Sequence, residues 1–207
     1  DGVVTDILLC EILRNHDAKA SFNLNAGLHG PQRSHGWQYQ DTWVERLAQS
    51  ELRSVYEGFT IANHSLTHPD LTHLGEAALN QQIWDNRHIL QDWFQQPVLG
   101  FVYPFGSWNE RIIKILVASG HRYARTTLNE PWQFPPANPY TFNPTCHFLD
   151  DQFWNHFEQA KTIGVFYFWG HSYEMTNDKM WQDVEDKVST LSRNEECQWA
   201  NINDLFV

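Results

Sequence analysis

Cysteine is scarce in this sequence. Cys10, Cys146 and Cys197 lie far apart in a chain of 207 residues, and none belongs to a Cys-x-x-Cys pair. That excludes a disulfide scaffold, a zinc ribbon and thioredoxin-like redox chemistry. Basic residues are also few: 14 against 25 acidic ones, for a net charge of −11. Without a basic cluster the chain is a poor holder of nucleic acid or of an anionic membrane surface. No apolar run approaches the ~18 residues of a membrane span. No secretory leader opens the sequence, which leaves cytoplasmic and cell-envelope or secreted locations equally open. Repeats, linkers and low-complexity segments are absent too, so residues 1–207 are expected to form a single domain.

What is present suits a packed core. Apolar residues make up 42% and charged residues 19%, the balance of a globular chain. Aromatic residues reach 14%, with ten tryptophans. Most of these rings are expected in the core, although aromatic platforms also stack on sugars.

Periodicity predicts a helix over "VVTDILLCEILRNH", with Thr5 or Asp6 as its cap, and a strand in "KASFNLNAG" (19–27). Residues 28–40, polar with Gly and Pro, read as a long loop, followed by a short helix over 41–49 and a strand over 58–63. The longest helix is expected at 75–95, stopped by Pro97. A strand over 98–106, a helix near 109–119 and a strand over 121–127 follow. A proline-rich connection (131–144) leads to a helix near 150–160, a strand over 164–171, a helix over 178–193 and a last strand over 198–205. Alternating strands and helices predict an α/β fold with a mostly parallel sheet or barrel. His64, the Tyr103–Gly106 turn, Arg125 and His171 all fall at C-terminal strand ends, which gather on one face of such a fold.

Each candidate has a plainer reading. The pair in "NHSLTH", His64 and His68, has metal-ligand spacing, but among 11 histidines the same spacing suits two solvated loop residues. "FVYPFG" is either a buried strand with a turn or a turn exposing backbone N–H groups to an oxyanion. His171 in "FYFWGHSYE" is a structural histidine or a reactive one, which Glu174 and Asp178 could orient. Asp1 in "DGVVTD" alone is a frayed turn.

Together and in this order, "DG", "NHSLTHPDL", "YPFG" and "GHS" resemble the polysaccharide deacetylases, the NodB-homology group of carbohydrate esterase family four. The resemblance implies a distorted (β/α) barrel and a divalent metal, most often zinc, held by Asp1, His64 and His68. It further implies the Phe105 backbone N–H as oxyanion donor and His171 as the acid that protonates the leaving amine. Tyr103, Trp37 and Trp169 are expected at the substrate, with Trp169 at the acetyl methyl. The loop over 28–40, with His29, His35, Trp37 and Tyr39, is expected to wall the site. The implied reaction is metal-dependent removal of N-acetyl groups from an amino-sugar glycan or cell-envelope polysaccharide. Hydrolysis of a cyclic amide and non-catalytic sugar binding are the alternatives on the same scaffold.

Three departures stand out. The family's first motif is Asp-Asp-Gly, whose earlier aspartate is the general base; Asp1 matches the later one. The first barrel strand and its base are therefore expected outside this sequence, with Asp6 a weak substitute inside the first helix. Val102 stands where many members carry the arginine that holds the base, and Arg125 is the expected replacement. An Asp-x-x-Asp-Trp motif is missing near 121–127.

Overall fold

A computed structural model describes residues 1–129 and 133–206; the start of the predicted proline-rich connection, 131–132, lies outside the described residues. The first helix, α1 (Asp6–Asn15), buries Cys10, Ile12 and Leu13. Of the two predicted caps, Thr5 takes the position. Thr5 makes no capping bond, and Asp6 is buried, accepting from Val3 N–H at 3.2 Å, Tyr56 Oη at 2.5 Å and Ser172 Oγ at 2.5 Å.

β1 (Ser21–Leu24) follows as predicted. The next stretch differs. Residues read as loop and short helix form an antiparallel hairpin, β2 (Ser34–Tyr39) and β3 (Thr42–Arg46), turned at Gln40 with φ 52°. Five residues are too few to separate helix from strand by periodicity, and β-branched and aromatic residues at 42–44 favour the strand. α2 (Gln49–Val55) begins only after it, and Glu51 accepts from Ala48 N–H at 2.9 Å.

β4 (Thr60–Asn63) is buried throughout. The predicted long helix is present as α3 (Glu76–Asn80), a π-helical turn (Gln81–Asp85) and α4 (Asn86–Phe94), ending on left-handed Gln95. β5 (Gly100–Val102), α5 (Glu110–Ala118) and β6 (Tyr123–Arg125) complete the central run. A two-residue strand, β7 (Cys146–His147), was not predicted, being short and two residues after Pro144. After α6 (Phe153–Ala160), β8 (Phe168–Trp169) pairs with β7, and α7 (Asp178–Arg193) matches its predicted bounds. The predicted last strand is instead a short 3₁₀ turn at Ile202–Leu205, where Asn and Asp favour turns.

The parallel α/β architecture is therefore present. Its four-stranded sheet runs β1-β4-β5-β6, and a parallel bridge from Arg125 to Phe142 leads toward the β7-β8 pair. An open cleft lies between β1 and β8. The C-terminal ends of these strands carry the site.

Candidate metal centre and active-site cleft

Asp1 sits over the end of β1, where its main-chain nitrogen donates to Asn23 O at 2.8 Å. Gly2 follows with φ +75°, and a Cβ there would lie 2.3 Å from His29 Cε1. His29 is buried, its Nδ1 donating to Leu47 O at 2.9 Å, and burial lowers its pKa to about 4. The expectation that His29 walls the substrate site is corrected: it is packing beneath the Asp-Gly turn.

His64 begins the loop after β4, its N–H donating to Leu24 O at 3.1 Å. Its Nδ1 lies 2.7 Å from Val102 O. A carbonyl only accepts, so Nδ1 carries the proton and Nε2 is bare. That Nε2 faces Asp1 Oδ1 at 3.6 Å. His68 reaches the same place because φ of 61° folds the loop back, with its N–H on Ser65 Oγ at 3.0 Å. The His64 and His68 rings are 4.7 Å apart, edge to face. One ligand atom from each of Asp1, His64 and His68 lies within 4.8 Å of the others. Burial, chiefly, holds the pKa of both histidines down, leaving neutral rings with lone pairs to give.

Beneath this loop is a buried amide network whose residues carried no sequence signal beyond their type. Asn86 Nδ2 donates to Leu24 O at 2.9 Å and Asn63 Oδ1 at 2.6 Å, while its Oδ1 accepts from Ala26 N–H at 2.7 Å. Asn63 Oδ1 also accepts from Ser65 N–H at 2.9 Å. Asn63 Nδ2 donates to Ile83 O at 2.8 Å and lies 3.2 Å from His121 Nε2. Asn25 Nδ2 donates to Ser65 O at 2.9 Å. These bonds tie β1, β4 and the long helix to the backbone that presents His64 and His68.

At the end of β5 the chain turns through Pro104–Gly106, with Phe105 at φ 59°. The bonds inside the turn use the N–H groups of Gly106 and Ser107, not that of Phe105. The Phe105 ring is largely exposed and stands 4.7 Å from the His68 ring. Tyr103 does not face substrate as expected. It is 1% exposed, packed with Phe101, and its hydroxyl donates to Tyr140 O at 2.8 Å.

Arg125, Trp169 and His171 line the same cleft as Asp1 and His64. Arg125 is buried, with Nη1 donating to Thr126 O at 3.1 Å and Nε without a partner; desolvation lowers its pKa. Its guanidinium lies 4.9 Å over the Trp169 ring. Trp37 stands on the hairpin rather than in a loop. It and Tyr39 pack edge-on against Tyr173, which stacks on His171 at 5.0 Å. His35 stacks instead on exposed Trp43.

Residues 4–124 match the sequence pattern of the polysaccharide deacetylases. A chitooligosaccharide deacetylase from Rhizobium leguminosarum bv. trifolii is 26% identical over 84 residues, which is 40% of this chain and 39% of that protein. The chain thus spans well under two thirds of this curated relative's length. Among solved structures, the peptidoglycan deacetylase PdaC from Bacillus subtilis (mutant D285S) superposes with a TM-score of 0.56 at 14% identity, covering 97% of this chain and 82% of that one. A family 4 carbohydrate esterase from Streptomyces lividans in complex with acetate gives 0.53 at 15%, covering 92% and 80%. A pseudoenzyme of the same family from Bacillus anthracis gives 0.54 at 16%, covering 98% and 60%. At these identities the superpositions establish the fold.

Proposed function

The chain belongs to the polysaccharide deacetylase family, and from that premise we propose that it takes part in removing N-acetyl groups from an amino-sugar-containing glycan, with a zinc-like ion held by Asp1, His64 and His68. The observation that carries the reading is a contact that a shared cation accounts for. A bare imidazole nitrogen and a carboxylate oxygen face each other at 3.6 Å, two acceptors with no proton between them. A tetrahedral ion with bonds of ~2.0–2.1 Å separates its ligand atoms by about 3.3 Å, close to this spacing. Two histidines and one carboxylate leave positions for water and substrate. When bound, such an ion supplies Lewis-acid polarisation of the acetamide carbonyl and a lowered pKa for water.

The chain's own groups would do the rest. The Phe105 N–H, spare in its turn, meets the oxygen on which negative charge develops. His171, from the far wall of the cleft, gives a proton to the leaving amine. Trp169 closes on the acetyl methyl, and Trp37, fixed through Tyr173, offers a ring face to the sugar. Arg125 has a free Nε with which to orient a carboxylate base. Among the described residues, the carboxylates lining this cleft are Asp1 and Asp6. Asp6 is committed to Val3, Tyr56 and Ser172, which favours a second reading in which these residues bind metal and glycan without turnover.

Metal content and acetate release from N-acetylglucosamine oligomers test both. About one zinc per chain, lost in His64→Ala, with acetate release lost in the same variant, supports the deacetylase. Bound zinc without acetate release, in a chain that also carries the Asp-Asp-Gly base, supports the second reading. No metal uptake would overturn both.

A further inference from the structure

His171 is not held by its own strand alone. β7 and β8 pair in parallel with His147 beside Trp169, which places the His147 ring edge-on to Trp169 at 4.9 Å. Leu149 N–H donates to His147 Nδ1 at 3.2 Å, so the proton of the neutral His147 ring lies on Nε2. Nε2 is 3.0 Å from Glu174 Oε2. Glu174 stands on the turn right after His171. Its Oε2 also accepts from His171 N–H at 2.8 Å, and its Oε1 lies 3.3 Å from His171 Nδ1, off the axis of a good hydrogen bond. The carboxylate is mostly buried. Burial pushes its pKa up, but the bonds to His147 and His171 outweigh this and hold it down at about 2.

We propose that Glu174 and His147 form a positioning pair for His171: His147 anchors the Glu174 carboxylate, which holds the Nδ1–H edge of His171, so that the protonated ring gives up its other proton from Nε2 and is left in the Nδ1–H form. This deepens the proposed function and rests on its reading of His171 as the acid. The ring's faces are fixed independently, by stacking on Tyr173 and by the edge of Trp169 at 5.7 Å, so the carboxylate decides which edge is presented. His147, His171 and Glu174 also bring three ligand atoms within 4.8 Å. The Leu149 N–H argues against a second metal centre there. It keeps the proton on His147 Nε2, the atom a metal would need bare.

The test combines ¹⁵N NMR of the histidine rings with kinetics on the zinc-loaded protein, using Glu174→Gln, His147→Gln and His171→Ala. In the wild type the neutral His171 ring, the form left after the acid step, is expected as Nδ1–H, and both Gln variants are expected to shift it toward the Nε2–H form. In a protein that releases acetate, Glu174→Gln lowers kcat on the order of 10²-fold, as expected for weakened acid catalysis, with KM within about twofold. An unchanged His171 tautomer in two folded Gln variants overturns the pair, whatever the activity. Full activity in His171→Ala overturns the reading of the acid instead, and the tautomer result still judges the positioning. A second zinc bound in the wild type and lost in His147→Gln replaces the pair with a metal centre.

Discussion

His64 donates through Nδ1 to the main-chain oxygen of Val102 at 2.7 Å and turns a bare Nε2 on Asp1 Oδ1 at 3.6 Å. One strand thereby sets the tautomer that the neighbouring strand uses. The ring is held with Nε2 free, so that an ion of the kind proposed would find little ordering left for binding to cost.

Zinc is therefore expected to stabilise the folded chain. At a hundredfold excess over Kd the gain is about 2.7 kcal/mol, roughly 5–10 °C in Tm for a domain of this size. His64→Ala and His68→Ala should each abolish the shift. A shift of the same size in both variants, read by thermal melts with and without zinc, would place the ion elsewhere.

Asn86 is the node of the network under the His64–His68 loop, with bonds to Leu24, Ala26 and Asn63. Asn86→Leu leaves the Ala26 N–H without its partner, at about 1–3 kcal/mol, and removes one of the bonds to Leu24 O and to Asn63 Oδ1, which keep those from His64 N–H and Ser65 N–H. Chemical denaturation is expected to register a loss on the order of 3 kcal/mol. Zinc titration of the variant should show weaker binding too. Equal zinc affinity would mean that the network supports the fold without placing the ligands.

Much of this was legible and some was not. Strand ends and helix faces follow apolar periodicity, and α7 matches its predicted bounds. That Asp1, His64 and His68 come together was legible from their motifs and the order of these motifs. The β2-β3 hairpin was missed because 41–49 is too short for its period to show. Asn63, Asn86 and His121 were missed because a buried amide network depends on three elements meeting, and nothing local in the sequence marks that. Tyr103 was misplaced for the converse reason. Its motif puts it beside the site, but its burial is decided by Phe101 and Tyr140.

His121 ties stability to pH. It is buried with Nε2 facing Asn63 Nδ2 at 3.2 Å, and its Nδ1 lies 2.8 Å from Ser119 Oγ. Burial lowers its pKa to about 3 from 6.5. The unfolded chain therefore binds this proton more readily than the folded one between those values. The stability is fully present above pH 6.5, declines as pH falls, and the loss levels off near 3. The slope from this one group is about 1.4 kcal/mol per pH unit. Denaturation midpoints between pH 7 and pH 5 should flatten in His121→Gln relative to wild type, even if that variant is less stable throughout. Parallel slopes would assign the proton uptake to other groups.

Gly2 offers a test that separates backbone strain from packing beside the proposed metal site. Its φ of +75° disfavours any side chain, and a Cβ would stand 2.3 Å from the His29 ring. Gly2→Ala thus meets two penalties. The left-handed backbone costs about 1–2 kcal/mol, and relief of the overlap must move either His29 off Leu47 O or Asp1 away from His64. Zinc affinity is expected to fall with stability. Adding His29→Ala makes room for the new methyl but leaves φ unchanged, so the double variant should regain zinc affinity while remaining less stable than His29→Ala alone. If affinity does not return, the backbone angle at Gly2, rather than the space beside it, is what aims Asp1 at His64.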